Sequence, residues 1–127
     1  MKYLLDTHTV IWHFDDSVKL SRKAIEITDN RESALYICSI SLWEIAIKMN
    51  LGKLNLNFTL DKILTAIKES DVDILQIEDK YLKGLAELSI IHRDPFDRLI
   101  IATALAEDLT IITIDSNIQK YGVSWIW

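Results

Sequence analysis

The chain has 127 residues, half of them hydrophobic and about a quarter charged, with three glycines and one proline. This composition excludes a disordered or fibrous protein, and the length predicts a single domain, residues 1–127, that buries its own core. Non-specific binding of phosphates usually needs a basic surface, so the net charge of −5 gives no support for a nucleic-acid partner. It does not exclude one either, because acidic residues that bind cations would leave the remainder almost neutral.

The chain shows no sign of export or membrane insertion. Its one cysteine, Cys38, lies in an apolar stretch, where an inert buried thiol is expected. The apolar run at the N-terminus is too short for a signal peptide, and the longest apolar stretch, Leu99 to Ala106, is shorter than the ~18 residues of a membrane span. We therefore expect a cytoplasmic protein. Its mean hydropathy of +0.15 predicts apolar surface that covers a partner.

Apolar runs of strand length alternate with segments of helical periodicity along the chain. In chain order, the predicted elements are a strand at Lys2–Leu5, a helix at Thr7–Phe14, a helix to Thr28 capped by Ser21, a strand at Leu35–Cys38, a helix at Ser41–Asn50, a helix to Ser70 capped by Thr59, a strand at Asp73–Ile77, a helix at Asp79–Leu88, a helix to Glu107 opened by Asp94 and Pro95, a strand at Thr110–Ile114, a helical turn at Ser116–Lys120 and a strand at Val123–Ile126. Strands separated by helices imply right-handed βαβ units. The predicted fold is α/β, a three-layer α/β/α sandwich with a mostly parallel sheet.

Four acidic residues stand where this fold would place a ligand. Asp6 and Asp115 each follow a predicted strand, and Glu44 and Asp97 each lie near the start of a predicted helix. Ligands of open parallel sheets bind beyond the carboxyl ends of the strands. The four carboxylates are therefore expected to converge at one edge.

Each acid also has a purely structural interpretation. Asp6 and Asp115 could be helix N-caps, and Asp97 could answer a helix dipole behind an Asp94 cap. These roles explain acids at helix starts. They do not explain why the short connections between strands and helices repeatedly carry acids at one edge of the sheet.

Glu44 has two structural alternatives of its own. Ser41 and Glu44 have the spacing of a capping box, and Glu44 stands four residues before Lys48, which favours an ion pair on a helix.

A cluster of carboxylates without basic partners is costly, because like charges disfavour one another's ionisation. A hard divalent cation removes that cost, and Mg²⁺ or Mn²⁺ suits an open pocket of carboxylate oxygens. Zinc is not expected, because the three histidines show neither H-E-x-x-H spacing nor a cysteine companion. Those histidines are His8, His13 and His92, of which His8 and His92 could lie near the pocket.

Other α/β chemistries fit less well. The chain lacks a Walker loop, a G-x-G-x-x-G motif and a nucleophile elbow. A phosphate-accepting receiver domain would need an aspartate at the end of the central strand, where Leu75-Gln76-Ile77 stands.

Four motifs together resemble the PIN domain family, and within it the VapC-like toxins of bacterial toxin–antitoxin pairs. They are Leu4-Leu5-Asp6-Thr7, Ser41-Leu42-Trp43-Glu44-Ile45-Ala46-Ile47-Lys48, His92-Arg93-Asp94-Pro95-Phe96-Asp97-Arg98-Leu99, and Thr113-Ile114-Asp115 before Tyr121-Gly122-Val123. They span almost the whole chain in the family's order. The segment from Leu75 to Leu88 lacks the proline and histidine that similar sequences often carry there.

The resemblance implies RNA cleavage by a metal-activated water, a cognate antitoxin and a homodimer. It maps Asp6, Glu44, Asp97 and Asp115 onto the family's catalytic acids. On this basis we hypothesise that Asp6 and Asp97 hold Mg²⁺ or Mn²⁺, that Asp115 completes the metal site, and that Glu44 orients or deprotonates water. Asp94 is interpreted mainly as a helix cap, and Arg98 and Thr113 either position the pocket or serve only burial and an ordinary ion pair. The rival interpretation is a catalytically silent module that binds a protein.

Overall fold

Five parallel strands form one sheet in the computed structural model, which describes residues 1–127. The strands are β1 (Lys2–Leu5), β2 (Ala34–Cys38), β3 (Asp73–Leu75), β4 (Thr110–Ile112) and β5 (Trp125–Ile126). They lie in the order β3-β2-β1-β4-β5, and every neighbouring pair is parallel. This arrangement confirms the predicted α/β class.

Seven α-helices connect the strands. They are α1 (Thr7–Asp15), α2 (Arg22–Asp29), α3 (Ser39–Asn50), α4 (Leu60–Glu69), α5 (Asp79–Glu87), α6 (Pro95–Glu107) and α7 (Ser116–Gln119). The predicted caps Ser21, Thr59 and Asp94 are confirmed, since each side chain accepts a hydrogen bond from a backbone N–H of the first turn. A turn of 3₁₀ helix at Ser17–Lys19 was not predicted. None of the helices combines the length and apolar character needed to cross a membrane.

The core lies on both faces of the sheet, because alternate residues of each strand point to opposite sides. Tyr3 and Leu5 belong to a cluster that includes residues of α1, α2 and α4, whereas Leu4 belongs to a second cluster with residues of α5, α6 and α7. The predicted three-layer sandwich is therefore confirmed.

Two strands end earlier than the sequence predicts. Leu75, the last residue of β3, pairs with Cys38 at the end of β2, and Ile112, the last of β4, pairs with Leu5 at the end of β1. Beyond these points β1 and β2 have turned into helices, so residues up to Ile77 and Ile114 have no strand beside them on that side. The predicted final strand is also too long, because only Trp125–Ile126 pairs with β4.

Helix α3 begins two residues before its predicted start at Ser41, and follows β2 without a linker. Ser41 is consequently inside the helix and fully buried. Cys38, at the junction, is buried as expected, and burial raises the pKa of its thiol to about 11.

Candidate functional site

The four predicted acids follow the carboxyl ends of the three central strands or begin a neighbouring helix. Asp6 follows β1 directly, Glu44 lies in α3 after β2, and Asp115 lies three residues beyond β4. Asp97 is in the first turn of α6. The fold therefore places all four at the edge where the sequence predicted them.

Asp6 is buried at the centre of this edge, with 2% of its surface exposed. Its Oδ1 accepts a hydrogen bond from the Thr9 backbone N–H at 2.8 Å, and its Oδ2 accepts one from the Thr113 hydroxyl. Burial raises the pKa of this carboxyl, whereas the hydrogen bonds from Thr113 and Thr9 act in the opposite direction. Asp6 is thus the N-cap of α1, yet a carboxylate offers about four lone-pair sites, so acceptor capacity remains for a ligand.

Glu44 is also buried, with 3% exposed, and both of its oxygens have partners. Oε1 accepts from the Thr7 hydroxyl at 2.6 Å, and Oε2 pairs with Lys48 Nζ at 2.6 Å. The predicted Glu44–Lys48 ion pair is confirmed. The capping-box alternative is wrong, because Ser41 is inside α3 and its Oγ lies 3.0 Å from Thr7 Oγ1.

The contact with Glu44 affects the pKa of Lys48. Burial acts to lower the pKa of its ammonium group, but the hydrogen bond and charge of Glu44, together with the charges of Asp94 and Asp97, outweigh burial and raise it. The pair fixes the Glu44 side chain.

Asp97 faces His92 at the start of α6. Its Oδ2 lies 3.2 Å from His92 Nε2, and its side chain is 15% exposed. Asp94 Oδ1 accepts from the backbone N–H of Asp97 at 3.0 Å, which confirms Asp94 as the helix cap.

The pKa of Asp97 is raised from 3.8 to about 8, first by burial and then by the charges of nearby carboxylates. In order of effect these are Asp94, Asp115, Glu44 and Asp6. An acid that only answered a helix dipole would have a lowered pKa. Asp97 has the position in the first turn that the dipole interpretation requires, and the charges of the other three predicted acids act on its pKa as well.

Asp115 lies at the open side of the cluster. It is half-buried, and its Oδ1 caps α7 by accepting from the Asn117 backbone N–H at 2.8 Å. The Thr113 hydroxyl, which donates to Asp6, accepts from the Asp115 backbone N–H at 3.0 Å. Thr113 therefore connects the buried Asp6 with the half-buried Asp115.

The chemistry of the donor set suits a hard divalent cation. Three side chains, His92, Asp94 and Asp97, have ligand atoms within 4.8 Å of one another. Asp6 and Asp115 lie outside this tight group and act on Asp97 through their charges. Carboxylate oxygens predominate, as Mg²⁺ and Mn²⁺ prefer.

Sequence reasoning missed several supporting contacts. The Thr7–Glu44 hydrogen bond joins residues 37 positions apart, so no local pattern predicts it. Arg98 makes no ion pair; its guanidinium donates to backbone carbonyls and to the Tyr121 hydroxyl, so the ordinary ion-pair alternative for Arg98 is wrong. Thr7, which directly follows Asp6, is the one of these partners that stands beside a predicted acid in the sequence.

Comparison with family models gives a match to the PIN domain over residues 3–123. The chain belongs to the PIN domain family. This match covers all four motifs that suggested the resemblance. Comparison with curated protein sequences gave no significant match.

Solved structures share this PIN fold over nearly the whole chain. VapBC2 from Rickettsia felis, bound to a DNA fragment from their promoter, matches with a TM-score of 0.75 at 20% identity, covering 99% of this chain and 98% of the other. DNA-bound VapBC from Salmonella typhimurium matches with a TM-score of 0.69 at 20% identity, covering 99% and 97%. A toxin–antitoxin complex from Klebsiella pneumoniae matches with a TM-score of 0.62 at 18% identity, covering 98% and 96%. The chain is similar in fold to all three.

Proposed function

We propose that this PIN-domain protein is the toxin of a toxin–antitoxin pair and acts as a metal-dependent endoribonuclease. Membership of the PIN family and the similarity in fold to VapBC and to a toxin–antitoxin complex support this proposal. The observation that carries it is the convergence of Asp6, Asp97 and Asp115 without an ion-paired lysine or arginine among them. Such a grouping is costly to folding, and a bound cation would offset the cost.

Asp6, Asp97 and Asp115 would hold Mg²⁺ or Mn²⁺, with His92 beside Asp97. The bound metal would lower the pKa of a water molecule and neutralise charge developing on the scissile phosphate. Asp6 supplies a fixed, buried carboxylate, since Thr9 and Thr113 hold both of its oxygens.

Glu44 would orient or deprotonate the attacking water. Thr7 and Lys48 hold its two oxygens, so the carboxylate is positioned before substrate arrives. Pre-positioning of this kind avoids reorganisation during the reaction. Lys48, whose side chain is 36% exposed, also places a positive charge beside the acids, where a phosphate would approach.

Exposed apolar side chains support a cognate antitoxin and a homodimer as partners. Trp43, next to Glu44, is 61% exposed and packs edge-on against Phe96, next to Asp97, with ring centroids 5.7 Å apart. Large exposed apolar residues near a site often mark a protein contact. The same surface is what a catalytically silent binding module would use, so that function remains the second candidate.

An RNA cleavage assay separates the two candidates. The purified protein, free of antitoxin, is incubated with a pool of structured RNAs in Mg²⁺, in Mn²⁺ or with a chelator. Metal-dependent cleavage that is lost in Glu44→Gln, with helix content unchanged, supports the nuclease. Absence of cleavage under every condition supports the binding module.

The homodimer is tested separately by sedimentation velocity. We expect a dimer at micromolar concentration or below. A monomer throughout that range would contradict the dimer and assign the apolar surface to the antitoxin alone.

A further inference from the structure

The segment between α5 and α6 has no regular secondary structure, but a single arginine holds it. The Arg98 guanidinium donates to the carbonyls of Ser89 at 2.9 Å, His92 at 3.2 Å and Leu88 at 3.3 Å. It also donates to the Tyr121 hydroxyl at 3.1 Å. A planar guanidinium can hold several acceptors in fixed directions, which an ammonium group cannot.

Tyr121 holds the same segment from the other side. Its ring is buried, and its hydroxyl accepts from the backbone N–H of His92 at 3.0 Å and of Ile91 at 3.2 Å. The hydroxyl lies 3.2 Å from the His92 carbonyl, to which it donates. Together, Arg98 and Tyr121 bind both the N–H and the carbonyl of His92.

His92 is the residue that contacts Asp97. Its imidazole Nε2 lies 3.2 Å from Asp97 Oδ2, and the hydrogen bonds to its backbone set the point from which the side chain reaches that oxygen. Groups that orient a metal ligand typically change metal affinity by about 10–100-fold when removed. The Tyr121 hydroxyl carries no charge, and its hydrogen bonds are to the backbone of Ile91 and His92 and to Arg98, so His92 is its route to Asp97.

We propose that Arg98 and Tyr121 are positioning residues that fix His92 against Asp97 and so set the geometry of the acidic site. Neither residue touches the acids directly through its own side-chain hydrogen bonds. The proposed effect on metal binding rests on the proposed function, whereas the effect on His92 is a property of the metal-free protein.

The first test measures the metal-free protein. Tyr121→Phe removes the hydroxyl and keeps the ring. Arg98→Lys keeps the positive charge and removes the planar guanidinium that donates to several acceptors. The matched control is Tyr81→Phe, which also removes a hydroxyl from a buried ring, but one that donates to Glu78, the residue before α5. We expect faster amide exchange at Ile91 and His92, and averaged side-chain couplings for His92, in the first two variants and not in the control.

The second test is a double-mutant cycle on Mn²⁺ affinity, measured by calorimetric titration with the metal alone. Tyr121→Phe should weaken binding by about tenfold. In a His92→Ala background the same change should have no further effect, because the residue it acts through is gone. If Tyr121 had a merely structural role, Tyr121→Phe would lower the melting temperature in both backgrounds. Its effect on Mn²⁺ affinity would then be the same with and without His92.

The outcomes are distinct. Unchanged amide exchange and His92 couplings in Tyr121→Phe and Arg98→Lys would overturn the inference. Additive losses of Mn²⁺ affinity in the cycle would overturn the route through His92. If the wild type binds no Mn²⁺, the proposed function fails. The amide exchange and the side-chain NMR couplings of His92 then decide by themselves whether Arg98 and Tyr121 fix this residue.

Discussion

The two ends of helix α6 carry acids in opposite situations. Asp97, in the first turn, is surrounded by other carboxylates, and its pKa is raised to about 8. Glu107, in the last turn, forms a salt bridge with Lys80, and its pKa is lowered, mainly by that hydrogen bond. At one end several carboxylates surround an acid that has no lysine or arginine partner, and at the other end the acid forms an ordinary ion pair.

The helix itself would produce the reverse pattern. A helix dipole favours an anion at the N-terminus and disfavours one at the C-terminus, by about 0.3–1 kcal/mol at exposed positions and up to ~2 kcal/mol in partly buried ones. One pKa unit corresponds to about 1.4 kcal/mol, so the rise from 3.8 to about 8 at Asp97 exceeds anything the dipole opposes. Burial and neighbouring carboxylates therefore determine the pKa of Asp97 at the N-terminal end of α6.

The largest expected difference between the two ends is in catalysis. Asp97→Asn should reduce RNA cleavage by about 100-fold or more, because it removes a carboxylate that would hold the metal, whereas Glu107→Gln should leave cleavage unchanged. Rates are compared at saturating Mg²⁺, with circular dichroism to confirm folding. Full activity in Asp97→Asn would return Asp97 to a structural role.

The second difference is in stability without metal. A carboxyl whose folded pKa lies above its unfolded value binds its proton more tightly in the folded state, so its contribution to stability falls as the pH rises from about 4 to about 8. In chelator, Asp97→Asn should therefore melt higher than the wild type, by at least about 4 °C at pH 8, with little difference at pH 4.

Glu107 gives the opposite sign and is the control. Its lowered pKa means that its favourable contribution is present above its unfolded value and is lost as the pH falls through the folded one. Glu107→Gln should melt slightly lower than the wild type at neutral pH. For Asp97, a difference in melting temperature between Asp97→Asn and the wild type that stays constant across pH would contradict a raised pKa.

Added metal should reduce the difference in melting temperature between the wild type and Asp97→Asn. Millimolar Mg²⁺ should stabilise the wild type, with a gain that grows logarithmically with concentration and reaches about 2.7 kcal/mol at a hundredfold excess over Kd. Asp97→Asn should gain little. Melting curves over a Mg²⁺ series check this, and a series in which neither protein shifts would show that the acids share no cation.

The smallest effect separates the two lysine–glutamate pairs. Lys48→Met leaves the Glu44 carboxylate buried without its cation, so the melting temperature should fall by several degrees. Lys80→Met removes an exposed partner and should change the melting temperature less. Equal losses would mean that burial of Glu44 does not distinguish the pairs.

Much of the fold follows from local patterns. The order of strands and helices, the caps and the alternation of Leu4 between its neighbours are consequences of period and capping chemistry, which neighbouring residues encode. Errors occurred where a boundary depends on another strand, as at Ile77 and Ile114 beyond the ends of β3 and β4.

The sequence by itself determined that acids follow strands and open helices, and so that they would meet at one edge of a parallel sheet. Only the tertiary structure decided their partners. The Thr113–Asp6 hydrogen bond joins residues 107 positions apart, and the Tyr121–His92 contacts join residues 29 positions apart. Periodicity and spacing describe neighbours along the chain, whereas the Thr113–Asp6 contact depends on the sheet order that places β1 beside β4, and the Tyr121–His92 contacts depend on how two distant loops pack.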